Sequence, residues 1–387
     1  MLELRRPRVA IVHDYLMQMG GAEKVVEVLH DMYPDAPVYT SAYDARAMPD
    51  RLRSWDIRTT FLQRMPAKRR IQRLAMLLYP LAFESLDLTG YDVVISSCST
   101  FAKGVMTPPG TAHVCYCYTP MRYAWIAGTV RQERPGALAR ALGAPALHYL
   151  RMWDLAAAAR VDRLVAISSC VEDRIAKFYR RSSEIVHPPV DVEGFAISDT
   201  VDSYYIIASR CIPYKRLDLA IDAFTRLNRP LKVVGTGRGM KALRARAGAC
   251  VEFLGHVSDR ELLSLMARAR AYVMPGEEDF GLAPVEANAC GRPVIAFGAG
   301  GALDTQVDGL TGVLFREQTV EALCEAVYRL DGMDIRPRVI REHARRFSVE
   351  SFRKAMSAIV EEEHGRLDSR SLRTVAASGA LSGVMAG

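Results

Sequence analysis

The sequence has no long apolar run. Nowhere in its 387 residues does an apolar stretch approach the roughly 20 residues that a membrane-spanning helix needs. The first eight residues are charged and lead directly into a strand-like run, without the apolar middle region and cleavage site of a secretory signal. We therefore expect a cytoplasmic protein, with any membrane contact peripheral and on the inner face of the cell membrane.

Paired cysteine spacings and internal repeats are also absent from the sequence. None of the eight cysteines has the pair-of-pairs spacing of a zinc site, and most lie in apolar runs, so we interpret them as reduced core thiols. Cys115 and Cys117 lie two residues apart on a predicted strand and share a face, which leaves a metal-binding pair as the alternative. No repeat at solenoid spacing occurs.

The composition is that of a globular protein with a basic excess. The length exceeds that of one hydrophobic core, which favours two domains. Apolar residues make up 50% and charged residues 25% of the chain. The net charge of +7 suits an anionic ligand, an anionic membrane or nucleic acid. No aromatic–basic platform accompanies this charge, so we expect no nucleic acid partner.

Residues 64–78 combine basic and apolar side chains. The basic ones are Arg64, Lys68, Arg69, Arg70 and Arg73. This mixture is typical of a helix that lies on anionic lipid, so the segment is a candidate for peripheral membrane contact. A solvated helix face explains it equally well.

Short Val- and Ile-rich runs alternate with amphipathic stretches along the chain. Strands that are apolar on both faces and separated by helices indicate parallel α/β sheets. Two doubly wound domains follow, 1–195 and 196–362, with a Ser-, Ala- and Gly-rich tail at 363–387 that is expected to fray or to pack back on the first domain. The predicted strands are 8–13, 38–41, 92–96, 113–117, 163–167, 184–186, 204–208, 231–235, 251–254, 271–274 and 293–297.

The strongest site signal is the segment 276–287, which follows a predicted strand. A loop after a parallel strand opens at the carboxyl edge of the sheet, where such folds bind ligands. Glu278 and Glu286 can accept hydrogen bonds from sugar and ribose hydroxyls, although a glutamate in a first helical turn is commonly only a dipole partner. The N–H groups at the helix start can face an anion. These belong to Phe280, Gly281, Leu282 and Ala283.

This segment resembles the Glu-x7-Glu motif of glycosyltransferase family 4, whose members are retaining enzymes. The resemblance covers about residues 8–362 and is closest to bacterial mannosyltransferases of polysaccharide and O-antigen assembly. It implies the GT-B fold, two Rossmann-like doubly wound α/β domains facing across a cleft, with a final helix at 348–362 that crosses back to the first domain. Further matching segments are Val12-His13-Asp14-Tyr15, Gly20-Gly21-Ala22-Glu23-Lys24, Thr119-Pro120-Met121-Arg122-Tyr123, Pro188-Pro189-Val190-Asp191, Pro213-Tyr214-Lys215-Arg216 and Ala296-Phe297-Gly298-Ala299-Gly300-Gly301.

The resemblance also implies roles for the charged residues of the second domain. Glu278 contacts the donor sugar and Glu286 the nucleotide ribose. Arg210 and Lys215 match the basic pair that neutralises the leaving diphosphate. Two fixed cations can stabilise that charge without a metal, so we expect no metal and no further cofactor.

Several smaller motifs complete the expected site. Gly20 and Gly21 would let the backbone approach the donor phosphates, although a glycine pair is often only a turn. His256 and Val257 correspond to the base-contacting turn, unless His256 is merely a neighbour of Ser258, the expected N-cap of the next helix. The expected acceptor-side residues are Asp14, Arg122, Tyr123 and Ser168.

Two positions depart from the family pattern. Relatives usually carry histidine before Thr-Pro-Met-Arg-Tyr, where this chain has Tyr118. Tyrosine keeps a hydroxyl but is not a cation near neutral pH, and we predict that Tyr118 still lines the sugar pocket and contributes to catalysis. His113 cannot replace the missing histidine, because an odd spacing along a strand places it on the other face. Ile167 stands where relatives often carry asparagine before Ser168.

The resemblance implies a retaining glycosyltransferase that moves mannose from GDP-mannose to a lipid-linked or polysaccharide acceptor in bacterial surface glycan synthesis. Two alternatives stay open. A nucleotide-sugar epimerase or hydrolase would share the fold and process the donor without an acceptor. A non-catalytic nucleotide-sugar-binding subunit would fit the missing histidine.

Overall fold

A computed structural model of the chain describes residues 6–65, 76–126, 137–237 and 239–384, with the side chains of 137–142 and 368–384 left out. Most of the predicted lipid-facing segment, residues 66–75, lies outside these ranges. The chain divides into two compact units. The first comprises Met1–Ile167, Val171–Val186 and Arg353–Gly387, and the second Ser168–Cys170 and His187–Phe352.

The first unit contains a seven-stranded parallel sheet. Its strand order is β3-β2-β1-β4-β5-β6-β7, so the order reverses between β1 and β4. The central strands β1, β4 and β5 are buried along their whole length, as expected for a sheet covered on both faces. The strands are β1 Val9–His13, β2 Val38–Thr40, β3 Ile57–Thr59, β4 Val93–Cys98, β5 Ala112–Cys117, β6 Arg163–Ala166 and β7 Glu184–Ile185.

The helices of the first half of the chain follow these strands. Those described are α1 Gly21–Met32, α2 Tyr79–Glu84, α3 Arg122–Trp125, α4 Ala137–Arg160 and α5 Ser169–Tyr179. A 3-10 turn, Ala102–Gly104, follows β4. Helix α1 buries Val25, Val26 and Leu29, whose three- and four-residue spacing places them on one face against the sheet.

The second unit contains a six-stranded parallel sheet of order β10-β9-β8-β11-β12-β13, which reverses between β8 and β11. Its core includes Ile221 and Phe224 of α6 together with Val327 of α11. The strands are β8 Tyr205–Ala208, β9 Leu231–Val234, β10 Val251–Gly255, β11 Ala271–Met274, β12 Val294–Phe297 and β13 Gly312–Phe315. The helices are α6 Leu217–Leu227, α7 Met240–Arg246, α8 Asp259–Arg268, α9 Leu282–Ala289, α10 Ala302–Thr305, α11 Val320–Asp331 and α12 Pro337–Ala344.

The prediction of two parallel, doubly wound α/β sheets is confirmed. Helix α8 begins directly after Ser258, the residue expected to cap it. The sequence pattern missed β3 and β13, which are short strands at the sheet edges. Of the β3 residues only Ile57 is apolar, and Arg58 and Thr59 are exposed, so no buried run marks this strand.

The C-terminal segment is helical as far as Val384, the last residue that the structure describes. A single helix, α13 Val349–Val384, replaces the predicted helix at 348–362 and its loose tail. Alanine, leucine and arginine, which are frequent there, are strong helix formers and explain the continuation. Residues from Arg353 onward group with the first unit. Among the described helices, none combines the length and the apolar character that crossing a membrane requires.

All eight cysteines are free thiols, and six of them are buried, as their assignment to the core predicts. Cys98, Cys115 and Cys117 lie in the interior of the first sheet. Burial raises the pKa of the Cys115 thiol, so this group stays protonated near neutral pH.

Candidate active site

The strand order of the second unit brings three charged residues to one edge. Strands β8 and β11 are neighbours at the point where the order reverses, and ligands of such sheets bind beyond the carboxyl ends of these strands. The loop after β8 carries Arg210 and Lys215, and the loop after β11 carries Glu278. Lys215 and Glu278 therefore meet although 63 residues separate them in the chain.

Lys215 and Glu278 form a direct ion pair between Nζ and Oε1. Their side chains keep 17% and 15% of their surface exposed, so solvent and ligands still reach the pair. The Lys215 ammonium also lies 5.2 Å from the centroid of the Tyr214 ring. A phosphate can compete for the ammonium and a hydroxyl for the carboxylate, because neither group is sealed from water.

Glycines allow the neighbouring loops to approach Glu278 on both sides. A Cβ on Gly276 would lie 2.4 Å from the Tyr214 carbonyl oxygen, which forbids any side chain there. Gly300, with a φ of +59°, forms a bridge with Glu278, and a Cβ on it would lie 2.4 Å from the Glu278 carbonyl oxygen. The N–H of Gly301 donates to that same oxygen at 2.8 Å. The backbone of Glu278 is therefore held between two loops.

Glu286 lies on α9, where its side chain is buried. The helix begins directly after Gly281, whose φ of +91° suits glycine alone. Burial raises the pKa of Tyr272, and the charges of Glu278 and Glu286 raise it further. Both carboxylates are thus near one buried phenol, whose hydroxyl donates to the Ala208 carbonyl at 2.9 Å. The two glutamates of the motif occupy the same sheet edge.

The other residues predicted for the donor are distributed around this edge. Arg210 is exposed at the end of β8. Leu282 and Ala283 are half-buried in the first turn of α9, while the Phe280 ring is buried and stacks on His187 at 5.4 Å.

The turn after β10 contains both a candidate base contact and a helix-capping residue. His256 is exposed and Val257 is half-buried. The hydroxyl of Ser258 accepts the N–H of Glu261 at 3.2 Å and caps α8, which confirms the predicted N-cap. The role of His256 in base binding stays a prediction.

Ser168, predicted on the acceptor side, groups with the second unit. Its hydroxyl donates to the backbone carbonyl of Asp279, the residue next to Glu278. The following Ser169 donates from its hydroxyl to Asp304 at 2.9 Å. The short segment 168–170 therefore supports the Glu-x7-Glu loop from its backbone side.

Asp14, also predicted for the acceptor, organises a loop of the first unit. Its two oxygens accept four backbone N–H groups at 2.6 to 2.9 Å, so the carboxylate fixes the loop after β4. Those donors belong to Ser99, Thr100, Phe101 and Ala102. Four hydrogen bonds account for the usual lone-pair sites of a carboxylate, so the observed contacts of Asp14 are structural, and its contact with an acceptor stays a prediction.

Tyr118 belongs to a buried hydrogen-bond network. Its hydroxyl lies 2.8 Å from Ser97 Oγ and donates to the Ala22 carbonyl at 3.0 Å. His13 continues the network with Nδ1 at 3.0 Å from Ser97 Oγ and Nε2 at 3.6 Å from Glu23 Oε1. The sequence motifs contain His13 and Glu23, but nothing in their spacing indicates this contact. Contact of Tyr118 with a sugar stays a prediction.

The structure confirms that His113 faces away from Tyr118. His113 Nε2 lies 2.8 Å from Ser96 Oγ, whereas Tyr118 contacts the next residue, Ser97, on the other face of β4. The glycine pair begins α1, with Gly20 in an extended conformation. A Cβ on Gly20 would meet only Glu23 Oε2, at 2.9 Å. Its predicted phosphate contact is not tested by this geometry.

An ion pair that the sequence did not predict is linked to α3, on which Arg122 and Tyr123 are half-buried. Lys103 Nζ contacts Asp154 at 2.5 Å, and both side chains are fully buried. Burial alone would lower the pKa of Lys103, but the Asp154 charge holds it well above its usual value. Trp125, at the end of α3, donates to the same carboxylate at 2.7 Å and thereby anchors the helix.

Comparison with known proteins finds a family match within the second unit. The family model described as glycosyl transferases group 1 matches residues 203–331. An uncharacterized glycosyltransferase of Methanocaldococcus jannaschii is 24% identical over 192 residues, which are 48% of this chain and 54% of that protein. The D-inositol 3-phosphate glycosyltransferase of Saccharomonospora viridis is 28% identical over 246 residues, 52% of this chain and 57% of the relative.

A third relative carries a more specific name. The GDP-mannose-dependent alpha-(1-6)-phosphatidylinositol monomannoside mannosyltransferase of Mycolicibacterium smegmatis is 28% identical over 198 residues, 43% of this chain and 52% of that protein. The chain thus spans about half the length of the curated relatives it matches.

Solved structures match nearly the whole chain. The sucrose-phosphate synthase of Thermosynechococcus elongatus has a TM-score of 0.71 at 17% identity, over 92% of this chain and 99% of that one. Anabaena HepE in complex with UDP has a TM-score of 0.68 at 18% identity, over 91% of this chain and 100% of that one. The chain has the GT-B fold, and its residues 203–331 resemble the group 1 glycosyl transferases.

Proposed function

We propose that the chain is a retaining glycosyltransferase that moves mannose from GDP-mannose to a lipid-linked or polysaccharide acceptor in bacterial surface glycan synthesis. One observation carries the proposal, the ion pair of Lys215 and Glu278 at the point where the strand order of the second sheet reverses. Arg210 is exposed on the same edge and Glu286 lies on the helix that follows Glu278. This set offers cations to a diphosphate and carboxylates to hydroxyls.

Each charge has a role in the proposed transfer. The bond from the anomeric carbon to the phosphate oxygen breaks, and the acceptor oxygen bonds to that carbon on the same face. The leaving phosphate takes the acceptor proton. Arg210 and Lys215 stabilise the growing negative charge, so no metal is needed, while Glu278 holds a sugar hydroxyl and Glu286 the ribose.

The donor assignment is supported by the resemblance and by one relative's name. The Mycolicibacterium smegmatis relative is called GDP-mannose-dependent, whereas HepE was crystallised with UDP. A thermal-shift series with ADP, GDP and UDP decides between them, because a ligand stabilises the folded state according to its occupancy. We expect the largest shift with GDP. A larger shift with UDP would reject GDP-mannose as the donor.

A transfer assay tests the reaction class. The wild type is incubated with GDP-mannose, a lipid-linked saccharide and EDTA, and the anomeric configuration of the product is read by NMR. We expect an α-linked product whose formation EDTA does not slow. Release of free sugar or a changed sugar nucleotide without acceptor would indicate the hydrolase or epimerase, and nucleotide binding without turnover would indicate a binding subunit.

Substitution of the cation tests the site itself. Lys215→Ala is compared with Lys241→Ala, which removes an exposed lysine from α7. We expect the shift given by GDP to shrink in Lys215→Ala and to stay in Lys241→Ala. An equal shift in both variants would place the diphosphate elsewhere.

The proposed lipid-linked acceptor brings the protein to a membrane surface. The described residues at the end of segment 64–78 include Leu77 and Leu78, whose side chains are 38% and 39% exposed, and Leu81 on α2 is 57% exposed. Exposed leucines beside a basic stretch are typical of segments that bind anionic lipid. Vesicles of phosphatidylglycerol should retain the wild type better than vesicles of phosphatidylcholine.

Leu78→Ser should weaken that retention. Leu303→Ser is the matched control, since Leu303 is equally apolar and 60% exposed but lies in the second unit. Equal retention of the two variants would refute a membrane contact at 64–78.

A further inference from the structure

Gln318 connects the two loops that carry the Lys215–Glu278 pair. It lies beyond β13, and its amide nitrogen Nε2 donates to the Pro275 carbonyl at 2.9 Å. Its amide oxygen Oε1 accepts from Arg216 Nη1 at 3.2 Å. Pro275 lies three residues before Glu278, and Arg216 directly follows Lys215. One side chain therefore joins the two loops.

The Arg216 end of this bridge holds an unfavourable backbone conformation. Arg216 has a φ of +51°, in the left-handed region that side-chain-bearing residues seldom adopt. Such conformations persist where the surroundings fix them. The Arg216 guanidinium is fixed by Gln318 on one side and by Asp218, at 3.3 Å, on the other. The direction in which Lys215 leaves its turn depends on these contacts.

The Pro275 end continues into a closely packed backbone. Gly276 lies so near the Lys215 turn that a Cβ would approach the Lys215 Cα to 2.8 Å. A shift of the Pro275 carbonyl would therefore move the loop against that turn. The amide of Gln318 is half-buried and spans the same gap with both its donor and its acceptor.

We propose that Gln318 is a positioning residue of the donor site, which sets the separation of Lys215 and Glu278 without touching the donor. Its effect on transfer rests on the proposed function. In that function one residue holds the diphosphate and the other the sugar, so their separation decides the alignment of the reacting carbon. Displacements of about 1 Å can lower a rate about a hundredfold.

Two substitutions test the hydrogen bonds that Gln318 makes to Pro275 and to Arg216. Gln318→Glu keeps the size and the acceptor for Arg216 but turns an oxygen toward the Pro275 carbonyl. Gln318→Ala removes both hydrogen bonds. The control is Glu317→Gln, which changes an exposed side chain of the same loop.

The first measurement does not need activity. Unfolding free energies of Gln318→Ala, Glu278→Gln and the double variant form a double-mutant cycle, which reports whether the two side chains are energetically coupled. We expect non-additive effects, because the bridge holds the ion pair together. Additive effects would overturn the proposal, whatever reaction the protein performs.

The second measurement is the transfer rate divided by the number of folded sites, and that number is determined from nucleoside diphosphate binding. We expect kcat to fall about tenfold or more in both Gln318 variants while the Kd for GDP stays within about twofold, because GDP alone does not require the alignment. A kcat near that of the wild type, or an equal loss in Glu317→Gln, would overturn the proposal. If the wild type itself neither binds GDP nor transfers, the proposed function fails, and the cycle alone decides the role of Gln318.

Discussion

The carboxyl edges of the two sheets use charged side chains in opposite ways. In the first unit, the two carboxylate oxygens of Asp14 accept hydrogen bonds from four backbone N–H groups. Lys103 and Asp154 form an ion pair whose side chains are both fully buried. In the second unit, Lys215 and Glu278 are partly exposed and Arg210 is exposed. The first edge has its charges committed to the fold, whereas the second keeps charges within reach of a ligand.

This difference indicates which substitutions should change stability and which should change function. Breaking a buried pair leaves a charge without solvent or partner and is strongly destabilising, while a solvent-accessible pair contributes little to stability. Substitutions at the first edge should therefore change stability strongly, and those at the second should act mainly on ligand handling. Trp55, Trp125 and Trp153 are the three tryptophans of the chain and all belong to the first unit, so their fluorescence reports its unfolding.

The largest expected effect is on the first edge. Lys103→Met should lower the free energy of unfolding by about 3–5 kcal/mol, because it strands the buried Asp154 carboxylate. Urea unfolding followed by tryptophan fluorescence measures the loss. Adding Asp154→Asn to this variant should restore part of it. A loss below about 1 kcal/mol would show that the pair is not a stabilising anchor and would erase the contrast between the two edges.

The second edge should respond in transfer, while the unfolding of the first unit stays unchanged. Glu278→Gln should lower kcat/KM about a hundredfold, the scale of losing one transition-state contact, with the tryptophan-detected transition unchanged. It should also tighten GDP binding by up to about fivefold, because Lys215 loses its competing partner. Isothermal titration measures this binding. Weaker GDP binding in Glu278→Gln would contradict the competition between the carboxylate and the diphosphate for Lys215.

Acid should destabilise the first unit through a buried histidine. Burial lowers the pKa of His113 to about 3, and the Arg160 charge adds to the shift. Below the unfolded-state pKa of about 6.5, the histidine binds a proton in the unfolded chain but stays neutral in the folded one. The free energy of unfolding therefore falls as the pH drops toward 3, by at most about 1.4 kcal/mol per pH unit. His113→Gln should flatten this dependence in urea unfolding between pH 7 and 5. An unchanged slope would remove His113 as its source.

The smallest expected effect distinguishes two roles of Tyr118. Its hydrogen bonds to Ser97 and Ala22 predict that Tyr118→Phe lowers stability by about 1 kcal/mol and leaves kcat unchanged. The sequence pattern predicts instead a change in kcat through the sugar pocket. Unfolding and transfer measured on the same preparation decide between them, and a lowered kcat with full stability would favour the sugar contact.

Local patterns predicted the elements that local physics controls. Apolar runs without polar alternation identified the central strands, and Ser258 marked the start of α8 because its hydroxyl can reach an N–H three residues on. Strand β3 escaped prediction because an edge strand with one apolar residue carries no burial signal. Motif resemblance placed Glu278, Glu286, Arg210 and Lys215 on the loops and the helix that the second sheet directs to one edge.

The sequence by itself determined the two parallel α/β sheets and the loops that carry the candidate site, since burial and turn chemistry depend on neighbouring residues. Only the tertiary structure decided which loops meet. The pairing of Lys215 with Glu278, the Gln318 bridge and the Lys103–Asp154 pair each join residues that strand order brings together from distant parts of the chain. Hydrophobic periodicity carries no information on that order, so these contacts had to be seen in three dimensions.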